Sequence, residues 1–328
     1  MRGALALLLV ALPAAAAGAG SGPWTWVLPP GFPPPVVPAD NPMSAAKVAL
    51  GKRLFFDASL SENGGIACAS CHQPARAYSD AAPQSRGARG DRLARNTPSL
   101  TNVAYAPALG WTDEGVTTLE AQMRRPLFAM HPVEMGLAGR ESEVQARLAE
   151  QDDYRRAFTD AFPGETNPVS LDNLIRAIAS FERTLISGRS AFDRYVFDDD
   201  HGAMSDAARR GMALFYSKRA GCSDCHGGLA FSGSLRAVGN ETATAVYADT
   251  GAATGAAMKF KVPGLRNVAL TAPYLHDGSL ASLRAVIEFY DRGGGRRRLK
   301  RLALRESEKG DLVAFLESLT DPAFVSSP

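Results

Sequence analysis

After its first residues the chain contains no apolar run of 18 or more, so no later segment can cross a bilayer as a helix. It also lacks a charge surplus. Thirty-six Lys and Arg stand against 34 Asp and Glu, a net +2 that gives bulk electrostatics no role in nucleic-acid binding. The local run Arg296-Arg297-Arg298-Leu299-Lys300-Arg301 reads as a solvated helix end or loop rather than a docking patch. Little of the sequence alternates with the period of a strand. Cysteine is scarce, at four in 328 residues, and none lies near the start to take a lipid anchor.

The beginning of the chain is what these absences leave standing. Met1-Arg2, an apolar stretch from Ala4 to Leu12 and the small residues Ala14 to Ala17 make a secretory signal peptide, expected over 1–18. The mature chain is then exported to the periplasm without an anchor. About 310 residues remain, enough for two ordinary domains. Residues 19–43 form a Pro-rich arm that is extended and expected to lie along a domain surface, with Trp24 and Trp26 packing it down.

All four cysteines fall in two copies of one pattern, Cys68-Ala-Ser-Cys71-His72 and Cys222-Ser-Asp-Cys225-His226. Cys-x-x-Cys-His is the attachment signature of c-type haem, in which both thiols add to the porphyrin vinyl groups and the His supplies an axial nitrogen. A thioredoxin-like dithiol needs a βαβ pattern that is not visible. A zinc site needs the pairs closer together. Two disulfides leave a His after each second Cys unexplained. The spacing therefore points to two covalent haems, and export agrees with that chemistry.

Before each motif stands a similar amphipathic helix. Ser44 caps Ala45 to Phe56 and Ser205 caps Asp206 to Tyr216, and both carry Gly-x-x-Leu-Phe. Such a repeat implies two similar domains, and its glycines permit close helix approach. Further helices are expected over Leu171 to Ile186, Leu283 to Tyr290 and Asp311 to Leu319. The expected fold is mainly α, with two cytochrome c-like haem domains in tandem (44–188 and 189–328) and long loops.

Several stretches resemble the bacterial di-haem cytochrome c peroxidase and MauG superfamily over nearly the whole mature chain: Leu50-Gly51-x-x-Leu54-Phe55-Phe56-Asp57, Arg95-Asn96-Thr97-Pro98, Pro132-Val133-Glu134-Met135, Phe181-Glu182-Arg183-Thr184-Leu185 and Leu265 to Gly278. Pro126-Leu127-Phe128-x-x-His131-Pro132-Val133-Glu134 is most similar to the MbnH-type enzymes. The resemblance implies that the His72 haem meets hydrogen peroxide. Peroxidases of the family often hold a second His over that iron in a loop Ser-x-Gly-His-Gly. Here the loop is Ser85-Arg86-Gly87-Ala88-Arg89-Gly90, and no His lies between His72 and His131. An open iron position follows, with His131 as the alternative ligand.

The resemblance further makes Glu134 the distal acid/base, a role its chemistry suits, and Gln122 the pocket amide, two residues further apart than in familiar members. His131 is a candidate to share the proton work. At the second haem, fourteen residues after His276, the peroxidases carry a Met ligand. Here Tyr290 stands there, as Tyr does in MauG, and a phenolate favours oxidised iron. Trp111, fifteen residues after Asn96, matches the Trp between the haems. Asn96 by side chain, and Thr271 and Pro273 by carbonyl, match a calcium site between the domains.

The expected function is therefore a periplasmic di-haem oxidoreductase of the MauG/MbnH type. It uses hydrogen peroxide to form high-valent haem iron and oxidises a residue, with Trp as the candidate, on a partner protein. The surface Trp that MauG carries two residues before its second motif is Ala220 here, leaving Tyr216 as the candidate exit. The alternatives are a cytochrome c peroxidase fed by a small cytochrome or cupredoxin, and a non-enzymatic di-haem electron carrier.

Overall fold

The computed structural model describes residues 24–112, 115–252 and 258–326. The signal peptide expected over 1–18 lies outside them. The chain is mainly helical. Its α-helices are α1 Ala45–Phe55, α2 Cys68–Cys71, α3 Leu119–Phe128, α4 Glu141–Ala149, α5 Asp152–Ala161, α6 Leu171–Glu182, α7 Ala191–Phe197, α8 Asp206–Phe215, α9 Leu283–Asp291, α10 Glu306–Glu317 and α11 Pro322–Ser326. The sheet among the described residues is one antiparallel pair, β1 Tyr247–Ala248 with β2 Phe260–Lys261.

Local chemistry sets the helix starts. Ser44, Thr118, Ser170, Ser190, Ser205 and Ser282 each accept a backbone N–H of the first turn of the following helix. Two ends differ from expectation by more than two residues. α6 stops at Glu182, because Thr184 and Leu185 turn back onto the Phe181 and Glu182 carbonyls as the chain enters the junction. α10 begins earlier, at Glu306, because the Glu308 carboxylate accepts the Arg305 N–H at 2.8 Å.

The repeat becomes two helix crossings. α1 packs on α6 and α8 packs on α10. A Cβ on Gly51 would lie 1.9 Å from the Ala177 carbonyl oxygen, and one on Gly211 would lie 1.9 Å from that of Asp311. Only glycine lets the backbones meet there. One apolar core gathers Leu50, Leu54, Phe55, Tyr78, Phe181 and Leu185; a second gathers Phe192, Phe215, Phe231, Ile287 and Phe315.

The repeat continues beyond the helices. Pro98-Ser99-Leu100-Thr101-Asn102-Val103 parallels Pro263-Gly264-Leu265-Arg266-Asn267-Val268, with Asn102 and Asn267 both left-handed (φ 58° and 61°) at the head of a 3-10 turn. Both asparagines clamp the linker. Asn102 Nδ2 donates to the Ser187 carbonyl at 2.9 Å and Asn267 Nδ2 to the Ser187 hydroxyl at 3.0 Å. Asp321 accepts the Gly188 and Arg189 N–H groups.

The Pro-rich arm enters this junction rather than lying along one surface. Pro29, Phe32 and Pro35 are buried. Phe32 lies over Gly188, where a Cβ would come within 2.5 Å of its ring, and the Arg266 guanidinium caps the ring at 4.9 Å. Tyr105 donates to the Pro33 carbonyl at 2.9 Å, and Val238 N to that of Pro34 at 3.0 Å. Trp24 and Trp26 meet edge to face at 5.5 Å.

Candidate haem and peroxide site

In each motif a single turn gathers the reactive groups. His72 N donates to the Cys68 carbonyl at 2.9 Å, and His226 N to that of Cys222 at 2.8 Å. His72 Nδ1 then bonds the Tyr78 carbonyl at 2.8 Å and His226 Nδ1 that of Phe231 at 2.9 Å. A carbonyl can only accept, so Nδ1 carries the proton and Nε2 is free to ligate. Burial lowers both imidazole pKa values and keeps them neutral.

Burial also pushes the Cys68 thiol up to about 12 and Cys222 to about 11, and raises Cys71 and Cys225. Such thiols stay protonated, unlike a reactive dithiol or zinc thiolates. All four are free, and no cluster of three or more His, Cys, Asp or Glu forms a metal site among the described residues. Two thiols and a neutral imidazole on one turn fit thioether attachment and axial ligation of a haem at each motif.

Near the first motif the loop of residues 85–90 meets the segment that carries Glu134. Gly87 presses so closely on the strand-like segment before Glu134 that a Cβ would lie 1.8 Å from the Val133 oxygen. Ala88 N donates to the Glu134 carbonyl at 2.7 Å, so the position that holds a His in related loops adjoins Glu134. Burial raises the Glu134 carboxyl above its usual range, and its charge reaches the Cys71 thiol. Gln122, on α3, has a buried Oε1 with no hydrogen-bond partner, as expected of an amide whose partner arrives with a ligand. A carboxyl with a raised pKa can hold a proton near neutral pH and pass it on. His131 is solvent-exposed.

At the second motif, Tyr290 comes from the last turn of α9, 65 residues after Cys225. Its phenol is pushed up to about 12, by burial first and then by the Cys225 and Cys222 thiols. Those causes locate it beside the second motif. A phenolate there would need a cation in place of its proton, a charge that a ferric iron would supply.

Between the motifs lies a cavity of ≈ 90 Å³ bounded by Pro98, Trp111, Lys261, Pro263 and Arg266. Trp111 spans the junction: its Nε1 donates to the Asn96 carbonyl at 2.9 Å, and its own carbonyl accepts Lys261 N at 2.8 Å. Asn96 N bonds the His276 carbonyl at 2.8 Å, and its Nδ2 bonds the carbonyls of Ala82 and Pro83 at 3.0 and 3.3 Å, leaving Oδ1 as a donor to a cation. Thr271 and Pro273 precede His276, Thr271 folding its hydroxyl onto the Val268 carbonyl at 3.1 Å.

Sequence reasoning passed over four charged or polar groups, two of which, Lys261 and Arg266, line this cavity. Lys261 is pushed down to about 8 by burial and donates to the Ala108 carbonyl at 3.0 Å. Arg266 holds both Asp193 oxygens at 2.8 Å and leaves Nη2 buried and unpaired. His276 stacks on Phe260 at 3.9 Å with both ring nitrogens buried and unpaired. Burial pushes Glu182 up to about 8. For Lys261 and Arg266, charges inside the Pro- and Gly-containing segment 259–266 were the available signal.

The family profile described as di-haem cytochrome c peroxidase matches residues 45–201. The chain is 38% identical over 303 residues to the methylamine utilization protein MauG of Methylorubrum extorquens, covering 89% of this chain and 83% of that protein. It is 38% identical over 330 residues to a cytochrome-c peroxidase of a Pseudomonas species, covering 88% and 84%. The crystal structure of a MauG-like protein associated with microbial copper homeostasis superposes with a TM-score of 0.89 at 36% identity, over 93% of this chain and 98% of that one. The chain belongs to the di-haem cytochrome c peroxidase and MauG family. It is a di-haem oxidoreductase that acts with peroxide, which sets aside the reading as a mere electron carrier.

Proposed function

We propose that this enzyme is an exported MauG-type oxidase that uses hydrogen peroxide to oxidise a residue, with Trp as the candidate, on a periplasmic partner protein. The observation that carries the reading is Tyr290 beside the Cys222 and Cys225 thiols, where related peroxidases carry a Met. Ala88 against Glu134 supports it from the other half, since no imidazole stands there that could bind an iron. The likeness to a MauG-like protein associated with microbial copper homeostasis favours the MbnH-type branch.

Under this reading residues 44–188 and 189–328 are two haem domains in tandem. Cys68 and Cys71, and Cys222 and Cys225, would hold the haems as thioethers, and His72, His226 and Tyr290 would bind their irons. A bound haem supplies the iron at which peroxide surrenders two oxidising equivalents. Glu134 takes the proton from the near peroxide oxygen and returns it to the leaving one, while Gln122 orients the peroxide through its unpaired Oε1. Trp111 carries charge across the junction. Asn96 Oδ1 and the Thr271 and Pro273 carbonyls offer neutral oxygens to a calcium ion there, completed by water.

Low-temperature EPR of the resting ferric protein, with a peroxide titration, tests the reading. One high-spin and one low-spin haem, both responding to peroxide without prior reduction, are expected. Replacing Tyr290 by Phe should then change the low-spin signal alone. Two low-spin haems that need one-electron reduction first would make it a cytochrome c peroxidase, as the Pseudomonas relative is named.

A further inference from the structure

The repeat of the two halves extends to the rings behind each motif histidine. In the first half, the Tyr78 carbonyl holds His72. The Tyr78 ring packs on Phe55 at 6.0 Å and on Phe181 at 6.4 Å, and Phe55 leads on to Phe56 at 5.4 Å. In the second half, the Phe231 carbonyl holds His226. The Phe231 ring packs on Phe215 at 6.1 Å and on Phe315 at 6.2 Å, and Phe215 leads on to Tyr216 at 5.4 Å. The elements correspond as well, since α1 and α8 end on the paired rings while α6 and α10 supply Phe181 and Phe315.

Four ring positions therefore match one for one, and the chemistry differs at two. The inner position is a phenol in the first half, Tyr78 at 4% exposure, and a phenyl in the second, Phe231 at 1%. At the outer position the order is reversed, with Phe56 at 40% exposure and Tyr216 at 46%. A phenol gives up one electron readily when its proton can leave, whereas a phenyl ring resists oxidation. An oxidisable ring thus reaches solvent from the second motif and stays enclosed behind the first. Phe315 offers Tyr216 a second route inward, at 6.5 Å. Ala220, two residues before the second motif, has no ring to contribute.

We propose that Tyr216 is the residue through which oxidising equivalents leave the protein, an inference that rests on the oxidase reading above. The phenol O–H gives one electron inward along Phe215 and Phe231 to the second haem iron, and its proton to solvent, becoming a neutral phenoxyl radical. The partner side chain returns one electron and one proton, restoring the phenol. Two such events consume the two equivalents of one peroxide. Burial raises the Tyr216 phenol above its usual range, so the proton is present to be lost.

The test is one equivalent of peroxide added to the holoprotein without a partner, followed by freeze-quench EPR and peptide mapping. Wild type should give a tyrosyl signal and a covalent dimer joined ring to ring at Tyr216, as two phenoxyl radicals couple and each ring loses one hydrogen. In Tyr216→Phe both should fall at least tenfold with the resting ferric spectra unchanged, and Tyr216→Trp should give a tryptophanyl signal instead. Tyr195→Phe, on α7, whose ring pairs with His201 and with none of these four rings, should match wild type. A tyrosyl signal within twofold of wild type in Tyr216→Phe, while peroxide still alters the haem spectra, overturns this proposal alone. Haem spectra indifferent to peroxide in wild type overturn the oxidase reading and the proposal with it.

Discussion

Adding a single methyl group at Gly51 tests the packing argument most directly. In Gly51→Ala the new Cβ starts 1.9 Å from the Ala177 carbonyl oxygen. Ordinary contact between heavy atoms begins near ~3.5 Å, so α1 and α6 must part by roughly 1.6 Å. The obstacle is backbone, so no rotamer change relieves it. Overpacking against backbone that cannot move aside lies at the upper end of about 1–3 kcal/mol, against about 1 kcal/mol returned by the better helix propensity of Ala. A net loss of about 2 kcal/mol is expected. With a urea slope of ~2 kcal/mol/M, the midpoint of the first half should fall by about 1 M. Gly211→Ala should behave alike in the second half, since its Cβ would also lie 1.9 Å from a carbonyl oxygen. Gly310 on α10 has nothing within 4 Å of such a Cβ, so Gly310→Ala should stabilise by about 0.5–1 kcal/mol. The assay is urea denaturation of the holoprotein, followed by haem absorbance. If Gly51→Ala matches or exceeds Gly310→Ala in stability, the close crossing is not what the glycine serves.

Glu134→Gln should slow the reaction with peroxide by about 10²–10⁴ in stopped-flow, leaving the resting EPR unchanged. Because burial raises the Glu134 carboxyl, the wild-type rate should be lost as pH falls through a value above the usual carboxylate range, and the glutamine variant should lack that step. Glu182 titrates in the opposite sense for stability. Its folded pKa of about 8 lies above the unfolded one, so its contribution is full below the unfolded pKa and is lost as pH rises toward 8. Denaturation midpoints of Glu182→Gln should therefore be flatter between those limits. Asp193→Ala strands the Arg266 guanidinium inside the junction and should cost about 3–5 kcal/mol by urea titration, whereas replacing both partners with apolar residues should cost less.

The motifs and caps were legible because they are local. Cys, Cys and His at i, i+3 and i+4 share a turn whatever the rest of the chain does, and a serine caps the helix that follows it. The twin Gly-x-x-Leu-Phe helices could be paired by inspection for the same reason. What each glycine meets could not, because Ala177 and Asp311 lie about a hundred residues or more further along the chain. The arm misled for a related reason. Its proline content signals an extended chain but carries no address, and the groove that buries Phe32 is made by Gly188, Tyr105 and Arg266 from both halves.

The sequence by itself determined the two motif turns, the helical character, the serine-capped starts of the twin helices and the residue types available for peroxide chemistry. All of these follow from spacing over a few residues. Tertiary structure alone decided that Ala88 adjoins Glu134, that Tyr290 faces the second motif, that Lys261 and Arg266 line one cavity and that Tyr216 rather than Phe231 is the exposed ring. Those relations depend on closing loops of tens to hundreds of residues. Closure is selected by close backbone contact and by burial summed over a whole core, and no short window of sequence records either.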